Sequence, residues 1–499
     1  MEFVFPKNVL DIFSKLKEAG FKVYIVGGPV RDMFLGKATK DWDLATSATP
    51  DQIQKLFPES VYENQFGTVG VKTATLKGEP RQDGRESENL KTEIVEVTTF
   101  RSEGKYTDKR HPDEVKFAKT VEEDLKRRDF TMNAMALDVD SKEIVDPYDG
   151  RSDIEKKVVK AVGNAKERFE EDALRMMRAV RFYAELGFTI EEKTEEAIKE
   201  SAKLLGFIAK ERIRDEFVKI IMSDGNGAMN GVLKLEELGL LEYIIPELRE
   251  GIGVGQNKHH IYTVWEHNLR ALGYSASHGY SFDVRLASLL HDVGKPKVKQ
   301  GNGIDSTFYA HEMVGAKMTT KILDRLHFSK QTIEKISHLV RSHLFYYNVG
   351  EVTEAGVRRF INRVGIENVD DLLKVREADR IGSGVPKAVP YKTRHLQFML
   401  EKVMADPVSP KMIKVKGDDV IRILGIEPGP KVGAILSVLL EEILDNPKEN
   451  EANKLESRII ELGKMSYEEL ENLSKKAKNR KQEFEVGVEE EMKKKYYVK

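Results

Sequence analysis

Near residue 150 the apolar residues change period, and that change constrains the fold more than any other feature of the chain. Before it, short β-rich runs alternate with helical segments. Val9, Ile12, Phe13 and Leu16 recur at helical spacing, and Phe21–Val26 reads as a strand. Gly27-Gly28 breaks the pattern, and Val30–Leu35 opens a new helix. Further strands are expected at Trp42–Ala45, Thr68–Thr73 and Ile94–Thr99, with Lys77–Lys91 as a polar exposed loop. Beyond residue 151 helical periodicity takes over, at Glu170–Leu186, Glu191–Leu205, Ile208–Met222, His259–Ala271, Asp283–His291, Glu312–Leu326 and Ile333–His343. The expected fold is therefore an α/β head followed by an all-α remainder.

The length of 499 residues suits about three domains at roughly 150 residues each. The turn cluster Asp146–Gly150 marks one edge, and the three glycines of Gly251–Gly255 suggest a linker. Boundaries are placed at 1–150, 151–250, 251–385 and 386–499. The last 35 residues, mostly Glu and Lys, read as a solvated helix or frayed tail. No 20–50-residue repeat is present.

Lys plus Arg is 81 and Asp plus Glu is 83, for a formal charge of -2. That excludes a uniformly basic nucleic-acid coat protein but not a protein with one basic face. The absence of cysteine excludes disulfides, cysteine zinc sites and thiol nucleophiles. No apolar run approaches the roughly 18 residues of a membrane span, and MEFVFPKNVL is a poor export signal. The expectation is a soluble cytoplasmic protein with no membrane partner.

Three groups of residues carry chemistry. In the first, Gly27-Gly28-Pro29-Val30-Arg31-Asp32 follows a strand and opens a helix, where glycines let backbone N–H groups approach a phosphate. Asp41-Trp42-Asp43 follows within an expected strand, which would turn both carboxylates to one face. Two like charges there call for a divalent cation, and hard oxygen ligands suit Mg²⁺. The competing reading is a solvent-facing acidic edge.

These residues, with Leu35-Gly36 and Ala45-Thr46, resemble motif A of the class II nucleotidyltransferases, the bacterial-type tRNA CCA-adding enzymes and poly(A) polymerases. Arg127-Arg128-Asp129-Phe130-Thr131-x-Asn133-Ala134 is similar to that family's second motif, and Asp146–Gly150 with Asp153 to its hinge. Glu171-Asp172-x-x-Arg175-x-x-Arg178 resembles its base-reading motif, and Lys210-Glu211-Arg212-Ile213 with Glu216 its fifth. Gly425–Leu436 resembles a C-terminal segment of the bacterial members. The resemblance implies a DNA polymerase β-like head, a helical neck, an HD domain and a helical tail. It implies that Asp41 and Asp43 are catalytic and hold Mg²⁺, and that Gly27, Gly28, Arg31, Arg128, Asp129, Asn133, Asp172, Arg175, Arg178 and Arg181 bind the nucleotide. The partners it implies are tRNA, CTP and ATP. A flexible loop, matched by Phe100–Pro112, accompanies family members that add the terminal A; Lys77–Lys91 looks like an insertion.

The base-reading pair has its own logic. Asp172 and Arg175 are three apart in an expected helix, so they share a face. Asp accepts hydrogen bonds and Arg donates them. Cytosine and adenine both offer an amine beside a ring-nitrogen acceptor, whereas uracil and guanine offer a carbonyl beside an N–H. An ordinary surface ion pair is the simpler alternative.

All but two of the eleven histidines lie between His259 and His343. His267, then His291-Asp292-x-Gly294-Lys295, then Asp379 resembles the H…HD…D order of HD-domain metal phosphohydrolases. His311, His338 and His343 would extend it to a second metal. Imidazole and carboxylate together suit a transition metal without selecting one. The expected function is template-independent CCA addition, with phosphohydrolysis at the HD site. The rivals are an A-adding enzyme or poly(A) polymerase, an HD phosphohydrolase with a nucleotide-sensing head, and a non-catalytic RNA-binding module.

Overall fold

Val23–Val26 forms β1 near the middle of a seven-stranded sheet, with Val23, Ile25 and Val26 at most 1% exposed. The computed structural model describes residues 4–39, 41–62, 67–76, 90–103, 115–257, 261–385, 389–404, 413–445, 449–473 and 493–498. Strand β2 is Asp43–Thr46, β3 Val61–Tyr62, β4 Thr68–Leu76 and β5 Leu90–Thr99; β6 (Arg101–Glu103) and β7 (Val115–Phe117) pair as a separate ribbon; β8 is Ala136–Leu137 and β9 Ile144–Val145. The sheet order is β3-β4-β5-β2-β1-β8-β9, with β2 and β5 parallel and the other neighbours antiparallel. Strands β4 and β5 run further than their apolar cores suggested. Of the expected loop Lys77–Lys91, Leu90 and Lys91 belong to β5, and 77–89 lie outside the described residues. Most of the expected mobile loop, 104–112, also lies outside them.

Helix α1 (Lys7–Glu18) buries the four residues its period singled out, Val9, Ile12, Phe13 and Leu16. The head continues with α2 (Gly28–Phe34), α3 (Pro50–Leu56), α4 (Val121–Lys126) and α5 (Gly150–Glu155). Val26, Ala45, Phe100, Leu125 and Ala136 form one core cluster, so β1, β2, α4 and β8 are fixed to one another by apolar burial.

The rest of the first unit is mostly helical, although the expected all-α remainder is interrupted by two short strands, Val158–Val159 and Thr189–Ile190, paired in parallel; the helices are α6 (Ala165–Glu171), α7 (Leu174–Leu186), α8 (Glu192–Ser201), α9 (Lys210–Ile221), α10 (Gly227–Glu237), α11 (Pro246–Arg249), α12 (Val264–Ser277), α13 (Phe282–Leu290), α14 (Lys295–Val298), α15 (His311–Arg325) and α16 (Lys330–Ser342). Thr263, Ser281 and Ser329 cap α12, α13 and α16 by accepting from the backbone N–H three residues on. Arg285, only 2% exposed, donates to the carbonyls of Ile221 and Ser223 at 3.1 and 3.0 Å and of Tyr280 at 2.8 Å. It thereby satisfies the otherwise orphaned end of α9 from α13.

By contacts, residues 1–343 with 370–386 form one compact unit, and 344–369 with 387–499 a second. The second contains α17 (Glu354–Val364), α19 (Tyr391–Met404), α20 (Gly417–Leu424), α21 (Pro430–Asp445) and α22 (Ala452–Gly463); α18 (Ile366–Gly382) leads from the second unit into the first. Ile435, Leu439, Ile459 and Leu462 anchor a core of its own. The segment Gly425–Leu436 is a helix connection: Gly425 ends α20 in a left-handed conformation and Pro430 starts α21. Among the described residues no helix is long and apolar enough to cross a membrane.

Candidate functional site

The glycine turn positions an arginine. Gly27 has φ +77 and ψ -129, and a Cβ there would lie 2.6 Å from Nη1 of Arg128. Arg128 is held from behind by Asp124 at 3.3 Å, and Arg127 pairs with the same carboxylate at 2.9 Å. Asp124 is fully buried; burial pushes its pKa up, but the two guanidiniums outweigh that and hold it below the ordinary range. We predict that Gly27→Ala strains the backbone by about 1–3 kcal/mol and displaces Arg128. Steady-state assays should show a higher nucleotide KM, with a smaller change in kcat.

The strand holding the acidic pair starts at Asp43, one residue later than expected. Asp41 lies in the bend before it, so the same-face argument for residues of one strand does not apply. The two carboxylates are nevertheless coupled. Asp43 is half-buried, and its pKa is raised, first by burial and further by Asp41, against the lowering effect of Arg128. Among the described residues neither carboxylate has a hydrogen-bonding or ion-pair partner. Two unneutralised carboxylates, one of them desolvated, are a donor set that fits a hard divalent cation. Glu96, on β5, sits directly across from Asp43 in the parallel register. The sequence reading missed this third carboxylate because only strand pairing brings it alongside.

Asp129 is 8% exposed and anchors a chain of contacts. Arg178 pairs with it at 2.6 Å, and Asn133 Nδ2 donates to it at 3.1 Å. Arg31 donates to Asn133 Oδ1 at 2.8 Å. Burial works against ionisation of Asp129, but Arg178 and Asn133 prevail and hold its pKa far below the usual carboxylate range. Arg181 pairs with Glu216 at 3.2 Å. The guanidiniums of Arg31, Arg178 and Arg181 lie 5.0, 5.6 and 4.5 Å from the ring of Phe182. One buried aromatic ring therefore gathers three like charges that would otherwise repel.

The expected helix Glu170–Leu186 is broken. Asp172 adopts an extended conformation between α6 and α7, with φ -140 and ψ 104. It accepts from the Leu174 N–H at 3.0 Å and pairs with Arg212 of α9 at 2.7 Å. Arg175 instead pairs with Glu171 at 2.6 Å and donates to the Arg127 carbonyl at 3.0 Å. Asp172 and Arg175 thus do not form the i,i+3 ion pair that helical spacing suggested. The break frees the Asp172 carboxylate to cap the start of α7 and turn toward α9.

A second cluster lies among α12, α13, α15, α16 and α18. His267 and His291 are both fully buried, with their Nε2 atoms 2.8 Å apart. His267 Nε2 is 3.1 Å from Asp292 Oδ2 and 3.3 Å from Asp379 Oδ1. On the other side of the same carboxylate, Asp292 Oδ1 is 3.2 Å from His311 Nε2 and 3.7 Å from His343 Nε2. His291, His311 and His343 each bond through Nδ1 to the carbonyl three residues upstream, at 2.7 Å in every case. Donation from Nδ1 turns each Nε2 lone pair inward. His311 Nε2 is buried without a hydrogen-bond partner, and Asp292 Oδ2, which meets the Lys295 ammonium at 2.6 Å, makes no hydrogen bond of good geometry.

These observations fit metal ions. Two ligands about 2.1 Å from a shared ion lie about 3 Å apart, close to the separations seen. His267-His291-Asp292 and Asp292-His311-His343 are the candidate metal groups among the described residues, and Asp292 belongs to both. Burial disfavours charge on His291, but Asp292 and Asp379 outweigh it and push its pKa up to about 10. Burial and the nearby His291 charge push His343 down to about 3.

Gly294 makes this geometry possible, since a Cβ there would lie 2.4 Å from the His311 carbonyl oxygen. His338 belongs to neither group, and His259 and His260 lie outside the described residues. Lys295, which the sequence reading noted only as part of the motif, pairs with Asp292 Oδ2 at 2.6 Å.

The fold and the two clusters define a nucleotidyltransferase head joined through helices to an HD domain, and both of these families depend on metal ions. Residues 23–160 match the Poly A polymerase head domain, 187–252 the Probable RNA and SrmB- binding site of polymerase A, and 264–381 the HD domain. The chain is 34% identical to the CCA-adding enzyme of Lactococcus lactis, over 90% of this chain and 95% of that protein. Similarity to the CCA-adding enzyme of Lactobacillus johnsonii is 46% but spans only 44% of this chain and half of the relative. A solved structure of the Bacillus stearothermophilus CCA-adding enzyme in complex with CTP superposes with a TM-score of 0.59 at 28% identity, covering 92% of this chain and 98% of that one. The chain belongs to the CCA-adding enzyme family.

Proposed function

We infer that this protein adds C and A nucleotides to the 3′ end of tRNA without a template, using CTP and ATP with Mg²⁺. The observation that carries the reading is the unpartnered Asp41–Asp43 pair beside the Arg128 and Asp129 clusters. Asp41 and Asp43 would hold Mg²⁺, which when bound supplies Lewis-acid stabilisation of charge developing at the α-phosphate. The tRNA 3′-oxygen forms a bond to the α-phosphorus, the bond to the bridging oxygen breaks, and pyrophosphate leaves. Arg31 and Arg128 bind the triphosphate, with Arg178 and Arg181 alongside, and Gly27 and Gly28 let the backbone come close. Asp129, ionised and oriented by Asn133, accepts from a ribose hydroxyl. Asp172 and Arg175 read the base, with Arg212 fixing the Asp172 carboxylate. In this reading residues 1–150 are the catalytic head, 151–250 the neck, 251–385 the HD domain and 386–499 the tail. With tRNA as substrate, the cytoplasm is the expected compartment.

The test is incorporation into tRNA lacking its 3′ CCA, with each nucleotide alone and together. CC followed by one A supports the reading. A only onto tRNA ending in CC identifies an A-adding enzyme, and a long A tail a poly(A) polymerase. No incorporation at all leaves the HD phosphohydrolase or a non-catalytic RNA-binding module.

The buried histidine cluster supports a second activity, hydrolysis of a phosphate ester. His267, His291, Asp292 and Asp379 would hold one transition-metal ion, and Asp292, His311 and His343 a second. His338, on a different face of its helix, is left out of this proposal.

A further inference from the structure

The second compact unit contains an open cavity of about 390 Å³ whose lining includes Phe345, Tyr346, Tyr347, Arg359, Phe360 and Arg363. Gly356, Arg359, Phe360 and Arg363 recur at i, i+3, i+4 and i+7 along α17 and so share one face. Gly356 lines the cavity, and a Cβ there would come within 3.1 Å of Val352 Cγ1. The rings of Phe345 and Phe360 lie 5.0 Å apart, and the Arg363 guanidinium is 5.8 Å from the Phe360 ring. Tyr347 is fixed by a 2.5 Å hydrogen bond to His395 Nδ1, and burial pushes its phenol up to about 12, so it stays protonated.

Tyr346 is the unusual member. Its ring is 71% exposed, yet its hydroxyl is held at both ends: it donates to Glu351 and accepts from Asn348 Nδ2 at 2.6 Å. Holding an exposed ring in one orientation loses rotamer freedom without gaining burial. A ligand that stacks on the ring recovers that loss, because the orientation is already set. Arg359 is exposed and makes no hydrogen bond or ion pair among the described residues. Glu354 is paired by Arg358 and Lys402, while Glu351, which accepts from the neutral Tyr346 phenol, keeps its charge and is outnumbered by Arg359, Arg363 and the nearby Lys392. The charge left over at the rim is positive.

We propose that this cavity binds an unpaired nucleobase of an RNA strand, stacked on Tyr346, while Arg359 and Arg363 take the flanking phosphates. Aromatic rings interleaved with arginines are the chemistry of single-strand binding, which tolerates any base because every base has a π face. A base inside a duplex has both faces covered and does not fit. The site goes beyond the transferase reading, which requires no base contact in this unit.

The test uses the full chain and a fluorescently labelled five-nucleotide RNA, compared with a duplex of equal length, by anisotropy. Binding needs no turnover, so the result does not depend on the transferase reading. The single strand should bind more tightly than the duplex. Tyr346→Leu should weaken it about tenfold, whereas Tyr346→Trp should retain binding and show quenched tryptophan fluorescence on addition of RNA. Arg359→Ala should reduce the dependence of log affinity on log salt by about one. Tyr346 and Arg359 are exposed, so all three variants should fold. Equal binding by Tyr346→Leu and the parent, equal affinity for strand and duplex, or binding of an acidic peptide in place of RNA would overturn the proposal.

Discussion

Replacing Asp43 by alanine is expected to lower incorporation of both CMP and AMP by about 10³-fold, with little change in melting temperature. A bound divalent ion contributes several kcal/mol of transition-state charge stabilisation, and each 1.36 kcal/mol is a factor of about ten. Asp43 is half-buried and makes no hydrogen bond or ion pair among the described residues, so its carboxylate is free to serve an ion, and alanine removes that ligand outright. Asp43→Asn should be equally inactive but more stable. The Asp43 pKa is raised on folding by burial and by Asp41. The ionised form therefore costs stability above that raised pKa, and the cost fades as pH falls through it. The amide removes the cost at neutral pH, so without Mg²⁺ the variant should melt above the parent at pH 7 and match it in acid. Incorporation near the parent rate by either variant would remove Asp43 from the catalytic machinery.

Asp292→Asn is expected to empty the whole HD cluster. Its two oxygens face different histidine pairs, so the amide, which keeps one neutral oxygen and offers no lone pair from its nitrogen, removes the negative charge that both candidate groups share and a ligand atom from one of them. Losing a metal's outer partners already costs 10–100-fold in affinity, so losing a shared direct ligand should cost more than about 10²-fold. Elemental analysis after dialysis against Mn²⁺ or Ni²⁺ should find metal in the parent and essentially none in the variant. His311→Ala should lose one equivalent and keep the other. Hydrolysis of a 2′,3′-cyclic phosphate should fall with the metal content. Asparagine is preferred to alanine because Lys295, 6% exposed, leans on this side chain. If Asp292→Asn binds the parent's full complement, the shared-ligand arrangement is wrong.

The order of chemical groups was legible because neighbouring residues carry it. The glycine turn before Arg31, the Asp41–Asp43 pair and the His291-Asp292 doublet each need only a few adjacent positions. The α1 core and the shift to helical periodicity after residue 150 were equally open to reading, since they rest on short-range spacing. His338 shows where spacing misleads. It precedes His343 by five residues, and at 100° per residue the two lie about 140° apart around the helix, so α16 cannot aim both at one carboxylate.

Fold class, motif order and the residue types available for metal and nucleotide could be read along the chain, because local propensity and side-chain chemistry travel with it. The partners of those residues came from packing, mostly over long sequence distances. Asp172 leaves Arg175 for Arg212, 40 residues away. Asp124 anchors both motif arginines, Glu96 reaches Asp43 through strand register, and Phe182 gathers Arg31 with Arg178 and Arg181. The Glu96–Asp43 neighbours, two like charges set side by side by strand register, are the exception; the other three cases share one cause. A buried charge must be neutralised by whichever opposite group or ring the packing delivers, and packing is set by apolar surfaces far apart in sequence.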